Sequence, residues 1–148
     1  MGTAVRLSSE PNATREQVDG ISDRIDAWNM EVTGDRAYQP VNIFLRDDNG
    51  RIRGGVTGGV WGTWLHIVGL WVDEALRGRG LGRELLLAAE VEGRAAGARH
   101  AFLETHTFQA PGLYERLGYV RIAELEDYPP GESQLILRKE LDWPSGHR

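Results

Sequence analysis

A ten-residue segment between an apolar run and a helical pattern constrains this chain more than any other. Residues 76–85 read LRGRGLGREL, with glycines at every second position from Gly78 to Gly82. The preceding residues, TWLHIVGLWVD, are nearly all apolar, which is typical of a central strand buried on both faces. The following residues, RELLLAAEVEGRAA, place their apolar side chains on one helical face. The segment is therefore predicted to lead from a strand into a helix N-terminus, where unpaired N–H groups favour anions.

Two familiar nucleotide-binding loops do not fit this segment. A Walker A loop needs Gly-Lys followed by Ser or Thr, and the segment has neither. A dinucleotide fingerprint needs G-x-G-x-x-G, but its third glycine would fall at Leu85 or at Arg83, depending on the starting glycine. The segment alone is equally consistent with a surface turn and with an anion site. The arginines at positions 77, 79 and 83 favour the anion site, because a guanidinium group can fork onto phosphate oxygens.

Hydrophobic periodicity and turn signals predict the other elements. The expected fold class is α/β (mixed α+β), with a central mixed sheet of about six to seven strands flanked by helices, in the order β-α-β-β-β-α-β-α-β-β. The strand that follows the central helix is expected to run parallel to the strand before it. The expected strands cover residues 4–8, 40–47, 51–62, 64–73, 99–107, 119–126 and 133–141, and the expected helices cover about 15–32, 83–96 and 111–117.

Two stretches carry further local expectations. The glycine pairs in residues 51–62 are unusual in a strand and indicate β-bulges or a close approach of another backbone. Residues 142–148 are expected to form a frayed tail.

Composition limits the class of protein. The chain has 148 residues, which predicts a single domain over 1–148. Its net charge of −5 argues against non-specific nucleic-acid binding. It has no cysteine, no apolar run long enough for a membrane span and no recognisable signal peptide, so we expect a cytoplasmic protein without a membrane partner.

Two motifs together resemble the GNAT superfamily of N-acetyltransferases. LRGRGLG is similar to the Q/R-x-x-G-x-G/A motif of that family, with Arg77, Gly80 and Gly82 at the defined positions. FQAPGLYERLGYV is similar to the family's A-x-x-L-Y-x-K-x-G-F stretch, with Tyr114 at the tyrosine position. The sequence departs from the family pattern at Thr107, where many members have Asn, and at the positions of Arg116 and Tyr119, where Lys and Phe are common. The resemblance extends over most of the chain, because the predicted order of elements also matches the family's fold.

This resemblance implies an acetyl-CoA-dependent N-acetyltransferase that acts on a primary amine of a small molecule or peptide. Acetyl-CoA would lie between the two parallel strands, with its pyrophosphate on the backbone N–H groups of residues 79–82 and its pantetheine arm along residues 70–72. Tyr114 would act as the general acid that protonates the departing CoA thiolate. The residues implied for cofactor binding are Leu70, Trp71, Val72, Arg77, Gly78, Arg79, Gly80, Leu81, Gly82 and Thr107.

The general base is less sharply defined by the sequence. Glu104 ranks first, because it lies near the C-terminal end of a strand, where ligands of parallel sheets bind. A base acting through a water molecule is an equal alternative, and Asp73, Glu74 and His106 are further candidates near the cleft. His66 is expected to be a partly buried structural residue. His66 and His106 lack a third ligand at convincing spacing, so no metal site is expected.

The acceptor is not identified by the sequence. The tryptophans Trp28, Trp61, Trp64 and Trp71 could line an acceptor pocket, although core packing is the expected role of Trp28. A cationic amine could be attracted by Glu31, Asp35, Glu126, Asp127 or Glu132, each of which is equally explained as surface charge. The alternative functions are a non-catalytic acyl-CoA-binding or sensing domain and a binding protein for another nucleotide. A homodimer is left open.

Overall fold

The computed structural model describes residues 2–35 and 38–141. The chain divides into two compact units, residues 1–37 and residues 38–148. The frayed tail expected over 142–148 lies outside the described residues. Among the described helices, none combines the length and the apolar character needed to cross a membrane.

The first unit contains one long helix, α1, Arg15–Thr33. A capping box begins it: Thr14 Oγ1 accepts from the Gln17 N–H at 3.2 Å, and the Gln17 side chain accepts from the Thr14 N–H at 2.8 Å. Gly34 ends it in the left-handed conformation, with φ of 64°. The predicted helix is therefore confirmed. Within the first unit taken by itself, none of its residues is buried and Trp28 is exposed.

The strand predicted over residues 4–8 is wrong, because the structure has no strand there. The only large apolar side chains in that stretch, Val5 and Leu7, are both fully exposed. A short alternating pattern is stable as a strand only when a neighbouring strand takes its hydrogen bonds, and these residues pair with none of the described strands.

In its described residues, 38–141, the second unit contains a six-stranded sheet, two helices and one 3₁₀ turn, Glu74–Leu76. The strands are β1 Gln39–Arg46, β2 Ile52–Trp61, β3 Trp64–Val72, β4 His100–His106, β5 Val120–Glu126 and β6 Ser133–Glu140, and the helices are α2 Leu81–Ala95 and α3 Pro111–Arg116. The spatial order is β1-β2-β3-β4-β6-β5, in which β3 and β4 are parallel and the other neighbours antiparallel. The mixed α/β fold with a central β-α-β crossover is confirmed.

The core lies between this sheet and α2. Leu85, Leu86 and Ala89 of α2 are buried with Leu65 and Ile67 of β3 in one apolar cluster. The close packing depends on Gly93, since a Cβ there would lie 2.9 Å from Leu65 Cδ2. The expectation that β3 is buried on both faces is not met within this unit, where Leu65 and Ile67 are buried with α2 and Val68 is 63% exposed.

The glycines of β2 are explained by close approach and by a bulge, as predicted. The pairing register between β2 and β3 shifts between Thr57 and Gly58, and a Cβ at Gly58 would collide with the carbonyl oxygen of His66. A Cβ at Gly59 would collide with the ring of Tyr38. These positions therefore exclude a side chain, although they lie in an extended strand.

Candidate active site

A cleft opens where the two parallel strands part. β3 and β4 pair only from Trp64 with His100 to Ile67 with Leu103. The next residue of β3, Val68, is the extra residue of the bulge against β2, because Thr57 pairs with Gly69 and Gly58 with Ile67. Bulges turn a strand and end its pairing, and they are frequent beside active sites. Beyond Ile67, the edge of β3 that faces β4 therefore has no strand partner.

The cleft is a cavity of about 820 Å³, and its lining contains most of the residues that the sequence predicted for cofactor binding and catalysis. Its walls are the end of β3, the turn and first residues of α2, the end of β4, and α3. The predicted residues on its lining are Leu70, Trp71, Val72, Arg77, Gly78, Gly80, Leu81, Gly82, Glu104 and Tyr114, whereas Arg79 and Thr107 are not part of it.

The glycine turn presents a helix N-terminus to the cleft. Gly78 and Gly80 have φ of 79° and 78°, a left-handed conformation that glycine adopts without steric cost. Gly80 is the N-cap of α2 and supplies no side-chain hydrogen bond. The first N–H groups of α2 therefore have no side-chain cap, and at a cleft wall they are suited to an anionic group.

Arg77 ties the start of this turn to the end of β3. Its Nε donates to the carbonyl oxygen of Val72 at 3.0 Å. Asp73, between them, accepts from the Ala75 N–H at 3.1 Å and from Arg53 Nε at 2.8 Å. The Ala75 N–H and then the Arg53 guanidinium hold the pKa of the Asp73 carboxyl below its usual range. Asp73 thus acts as an anchor for the turn, and it is not on the cleft lining.

Tyr114 reaches the cleft from α3. Pro111 occupies the first turn of this helix, as predicted, and Gly118 follows it with φ of 94°. Burial raises the pKa of the Tyr114 phenol above its usual value, so the group stays protonated at neutral pH. The Tyr114 ring meets the Tyr119 ring edge to face at 6.1 Å. Its hydroxyl hydrogen-bonds to no other residue in the described parts of the chain, and it is free to meet a ligand.

A buried charged network lies next to Tyr119, the residue against which the Tyr114 ring packs. Glu90 of α2 is 1% exposed. Both of its carboxylate oxygens accept from Lys139 Nζ at 3.0 Å, and Oε1 also accepts from the Tyr119 hydroxyl at 3.0 Å. Tyr119 in turn donates its backbone N–H to the Tyr114 carbonyl at 3.0 Å. The network thus joins α2 and β6 to the end of α3. In the sequence, only Tyr119 of this network stood out, because it occupies a position of the second motif.

Glu104 and His66 lie side by side on β4 and β3. The distance from His66 Nε2 to Glu104 Oε2 is 3.6 Å, longer than a hydrogen bond. The His66 ring stacks on Phe102 with centroids 4.3 Å apart, and its Nε2 is buried without a hydrogen-bond partner. Glu104 lines the cleft and its side chain is 45% exposed, so it can meet a ligand from the cleft or through water.

The structure places Thr107 in the neighbouring loop. Its hydroxyl donates to Glu132 and accepts from the Ser133 N–H at 3.0 Å. The residue beside the cleft in this region is Gln109, whose Oε1 accepts from the His106 N–H at 2.9 Å and from Thr105 Oγ1 at 3.1 Å. Sequence reasoning missed Thr105 and Gln109. The sequence held one signal that could have identified Gln109: it directly precedes Ala110, the first defined position of the second motif.

The other candidates are dispersed. Trp71 lines the cleft, Trp61 is 45% exposed at the end of β2, and Trp64 stacks on His100 with centroids 4.6 Å apart. His106 stacks on Phe108 at 5.2 Å and meets Tyr128 at 5.8 Å. The acidic residues Glu126, Asp127 and Glu132 lie at the β5–β6 turn and Glu74 lies in the 3₁₀ turn, and none of these four lines the cleft. Glu31 and Asp35 lie at the end of α1, in the first unit.

Comparisons with known proteins agree with this geometry. The model of the acetyltransferase (GNAT) family matches residues 8–119. An acetyltransferase of Agrobacterium fabrum, Atu2258, is 34% identical over 135 residues, which is 91% of this chain and 97% of that protein. A blasticidin-S acetyltransferase of Streptomyces morookaense is 45% identical over 95 residues, covering 64% of this chain and 70% of that protein. The crystal structure of an acetyltransferase from Bacillus cereus superposes with a TM-score of 0.76 at 34% identity, covering 90% of this chain and 98% of that one.

Proposed function

This chain belongs to the acetyltransferase (GNAT) family, and from that premise we propose that it transfers an acetyl group from acetyl-CoA to a primary amine of a small molecule or peptide. The acceptor attacks the acetyl group directly, without an acyl-enzyme. The chain has no cysteine that could carry such an intermediate as a thioester.

One observation carries the proposal: an open strand edge and an uncapped helix N-terminus line the same cavity. The edge of β3 beyond Ile67 offers backbone groups to an amide-bearing arm such as pantetheine, which can pair with it like an added strand. The N–H groups at residues 79–82 suit a pyrophosphate, because they combine free donors with the positive end of the helix dipole. A cavity of about 820 Å³ is large enough for an elongated ligand of this kind.

Acetyl-CoA supplies the acetyl thioester, and this chain's residues move the protons. Glu104 accepts a proton from the attacking amine, either directly or through a water molecule, since a protonated amine has no electron pair for attack. The new C–N bond forms at the acetyl carbonyl carbon and the C–S bond breaks. Tyr114 donates its phenolic proton to the departing sulfur, so that free CoA leaves as a thiol.

Tyr114 is suited to the acid role by its surroundings. Burial raises its pKa, so at neutral pH the phenol carries the proton that it donates when the sulfur departs. The edge contact with Tyr119 and the hydrogen bond between their backbones fix the ring. A general acid that is fixed in this way loses little entropy when it acts.

The acceptor class is proposed from the relatives. Blasticidin S belongs in the first panel of amines, because the Streptomyces relative named for it is 45% identical over 95 residues. Polyamines, amino acid amines and peptide N-termini complete the panel.

The experiment measures release of free thiol when the protein is mixed with acetyl-CoA and each amine, together with calorimetric titration of CoA, ATP and NAD. Turnover with at least one amine and selective binding of CoA support the proposal. Tight CoA binding without turnover over the whole panel would assign a sensing domain instead. Equal binding of the three nucleotides would show that the cleft is a general anion site.

A further inference from the structure

The short helix that carries Tyr114 is held mainly at its C-terminal end. α3, Pro111–Arg116, has six residues and none of them is buried, and a helix of this length depends on tertiary contacts for its stability. Its N-cap, Ala110, supplies no side-chain hydrogen bond. At the other end, the Tyr114 carbonyl accepts from the N–H groups of Leu117 and Tyr119, both at 3.0 Å. Whatever holds Tyr119 therefore also sets the place of Tyr114.

Tyr119 is held by charged partners as well as by apolar packing. Its hydroxyl donates to Glu90 Oε1 at 3.0 Å. Lys139 Nζ lies 3.0 Å from both carboxylate oxygens of Glu90 and 5.5 Å from the centroid of the Tyr119 ring. The stem of Lys139 also passes beside the turn that ends α3, since a Cβ on Gly118 would lie 3.6 Å from Lys139 Cε. One lysine side chain thus contacts the carboxylate, the ring and the turn.

Stability alone does not explain a buried ion pair at this position. Apolar side chains of similar volume are often as stabilising as such a pair, because both charges lose their hydration. Apolar packing, however, tolerates more than one arrangement of the same side chains. Charged hydrogen bonds are directional, so the contacts of Glu90 with Lys139 and Tyr119 define one position for the Tyr119 ring.

A general acid needs one defined position. Its oxygen must come within about 2.6–3.2 Å of the atom that receives the proton, and a displacement of about 1 Å can lower a rate on the order of 10²-fold. The Tyr114 ring meets the Tyr119 ring edge to face at 6.1 Å. A displacement of Tyr119 would therefore pass to Tyr114 through both the ring contact and the backbone hydrogen bond.

We propose that Glu90, Lys139 and Tyr119 are positioning residues for acetyl transfer, which hold the Tyr114 hydroxyl at the place from which it protonates the departing sulfur. None of the three lines the cleft, so they act through Tyr114 and not on a ligand. In the step itself the Tyr114 O–H bond breaks, an S–H bond forms on CoA, and the phenolate regains a proton from water. This inference rests on the proposed function, and it adds how the acid is kept in place.

A double-mutant cycle on kcat tests the proposal. Glu90→Gln keeps the size of the side chain but removes the charge that holds Lys139. It should lower kcat about tenfold, while the KM for acetyl-CoA stays within about twofold. In a Tyr114→Phe background it should lower kcat by less than about twofold, because the hydroxyl that it positions is already gone. A general structural defect would lower kcat by the same factor in both backgrounds, and that result would overturn the proposal.

Glu92→Gln is the matched control, because it removes the same charge at an exposed position of α2. It should leave kcat unchanged in both backgrounds. Tyr119→Phe keeps the ring and removes only the hydroxyl, so it tests the same network if Glu90→Gln does not fold. It should lower kcat about threefold, again only while Tyr114 is present. An unchanged kcat in Tyr119→Phe and in folded Glu90→Gln would overturn the proposal.

A measurement without substrate separates this inference from acetyl transfer itself. Tyrosines are ¹³C-labelled at Cζ, and the Tyr114 signal is identified by its absence in Tyr114→Phe. Its chemical shift or line width should change in Glu90→Gln and in Tyr119→Phe, but not in Glu92→Gln. An unchanged signal would overturn the positioning role even if amines are acetylated. A changed signal in a protein that acetylates no amine would support the positioning of Tyr114 and overturn only the proposed transfer.

Discussion

The Tyr119 hydroxyl donates a hydrogen bond to Glu90 Oε1 at 3.0 Å, in a part of the fold where Glu90 is 1% exposed. A carboxylate at this depth needs compensation for its lost hydration. Lys139 supplies the opposite charge at 3.0 Å, and Tyr119 supplies a neutral donor. The link matters for the site because Tyr119 is also the ring against which Tyr114 packs.

Removing Glu90 is therefore expected to destabilise the protein strongly. Glu90→Ala leaves Lys139 and the Tyr119 hydroxyl without their acceptor, and it should lower the free energy of unfolding by about 3 kcal/mol in a urea titration. Glu92→Ala, at an exposed position of the same helix, should change it by less than about 0.5 kcal/mol. Similar values for the two variants would show that the network contributes little.

Tyr114→Phe should separate catalysis from binding. The substitution removes only the hydroxyl, so kcat should fall by a factor of about 10² to 10⁴, while the calorimetric affinity for CoA stays within about twofold. Tyr38→Phe removes a phenolic hydroxyl outside the cleft lining and serves as the control. Unchanged turnover of Tyr114→Phe would remove this residue from the mechanism.

The raised pKa values of Tyr114 and Tyr119 predict how stability depends on alkaline pH. Desolvation raises both, and the negative charge of Glu90 raises that of Tyr119 further. Unfolded tyrosines ionise near pH 10, so above about pH 10 the folded state holds more protons than the unfolded state. The free energy of unfolding should then fall as pH rises. Below about pH 9 these two residues should contribute nothing to its pH dependence.

Urea titrations between pH 8 and 11 measure this dependence. Tyr119→Phe should flatten the alkaline slope, since it removes the more strongly shifted group. Tyr128→Phe, whose ring is 56% exposed, should leave the slope unchanged. An equal slope in wild type and Tyr119→Phe would contradict the assignment.

Substitution by alanine should affect stability at one glycine of the turn and acetyl-CoA binding at another. Gly80 has φ of 78° and nothing within 4 Å of an added Cβ, so Gly80→Ala should cost about 1–2 kcal/mol of stability through the backbone alone. Gly82 lies in α2, and an added Cβ would make only an ordinary contact with Leu113 at 3.5 Å. Gly82→Ala should keep its stability, yet raise the KM for acetyl-CoA about tenfold, because the methyl group holds the ligand away from the helix N–H groups.

Thermal or urea unfolding of both variants, with initial rates at varied acetyl-CoA, checks this contrast. If Gly82→Ala binds acetyl-CoA as the wild type does, the N–H groups of the turn are not the pyrophosphate site.

Local signals predicted most of the fold, and non-local contacts account for what they missed. The Thr14–Gln17 spacing located the start of α1, and Pro111 with Gly118 bracketed α3, because caps depend on adjacent residues. The apolar run of β3 suggested burial on both faces, but burial depends on which elements pack against the strand, and within the second unit Val68 is exposed. The strand expected at residues 4–8 failed for the same reason, since pairing requires a partner distant in sequence.

The candidate site likewise contains residues that local motifs identified and residues that only long-range contacts bring together. The motif positions Arg77, Gly80, Gly82 and Tyr114 lie on the cleft lining, because they belong to one turn and one short helix that form two of its walls. The Glu90–Lys139 contact joins residues 49 positions apart, and no spacing rule could reveal it. The row that Phe44, Gly55 and Trp71 form across the sheet likewise depends on the register of three strands.

The early end of the β3–β4 ladder has a consequence for handling the protein. Residues 68–72 of β3 present backbone groups to the cleft without a strand partner, and an unpaired edge of this kind can recruit a strand from another molecule. Concentrated samples without ligand should therefore associate on warming, and static light scattering should show a higher onset temperature once CoA is added. Bound CoA would then protect the folded enzyme against self-association.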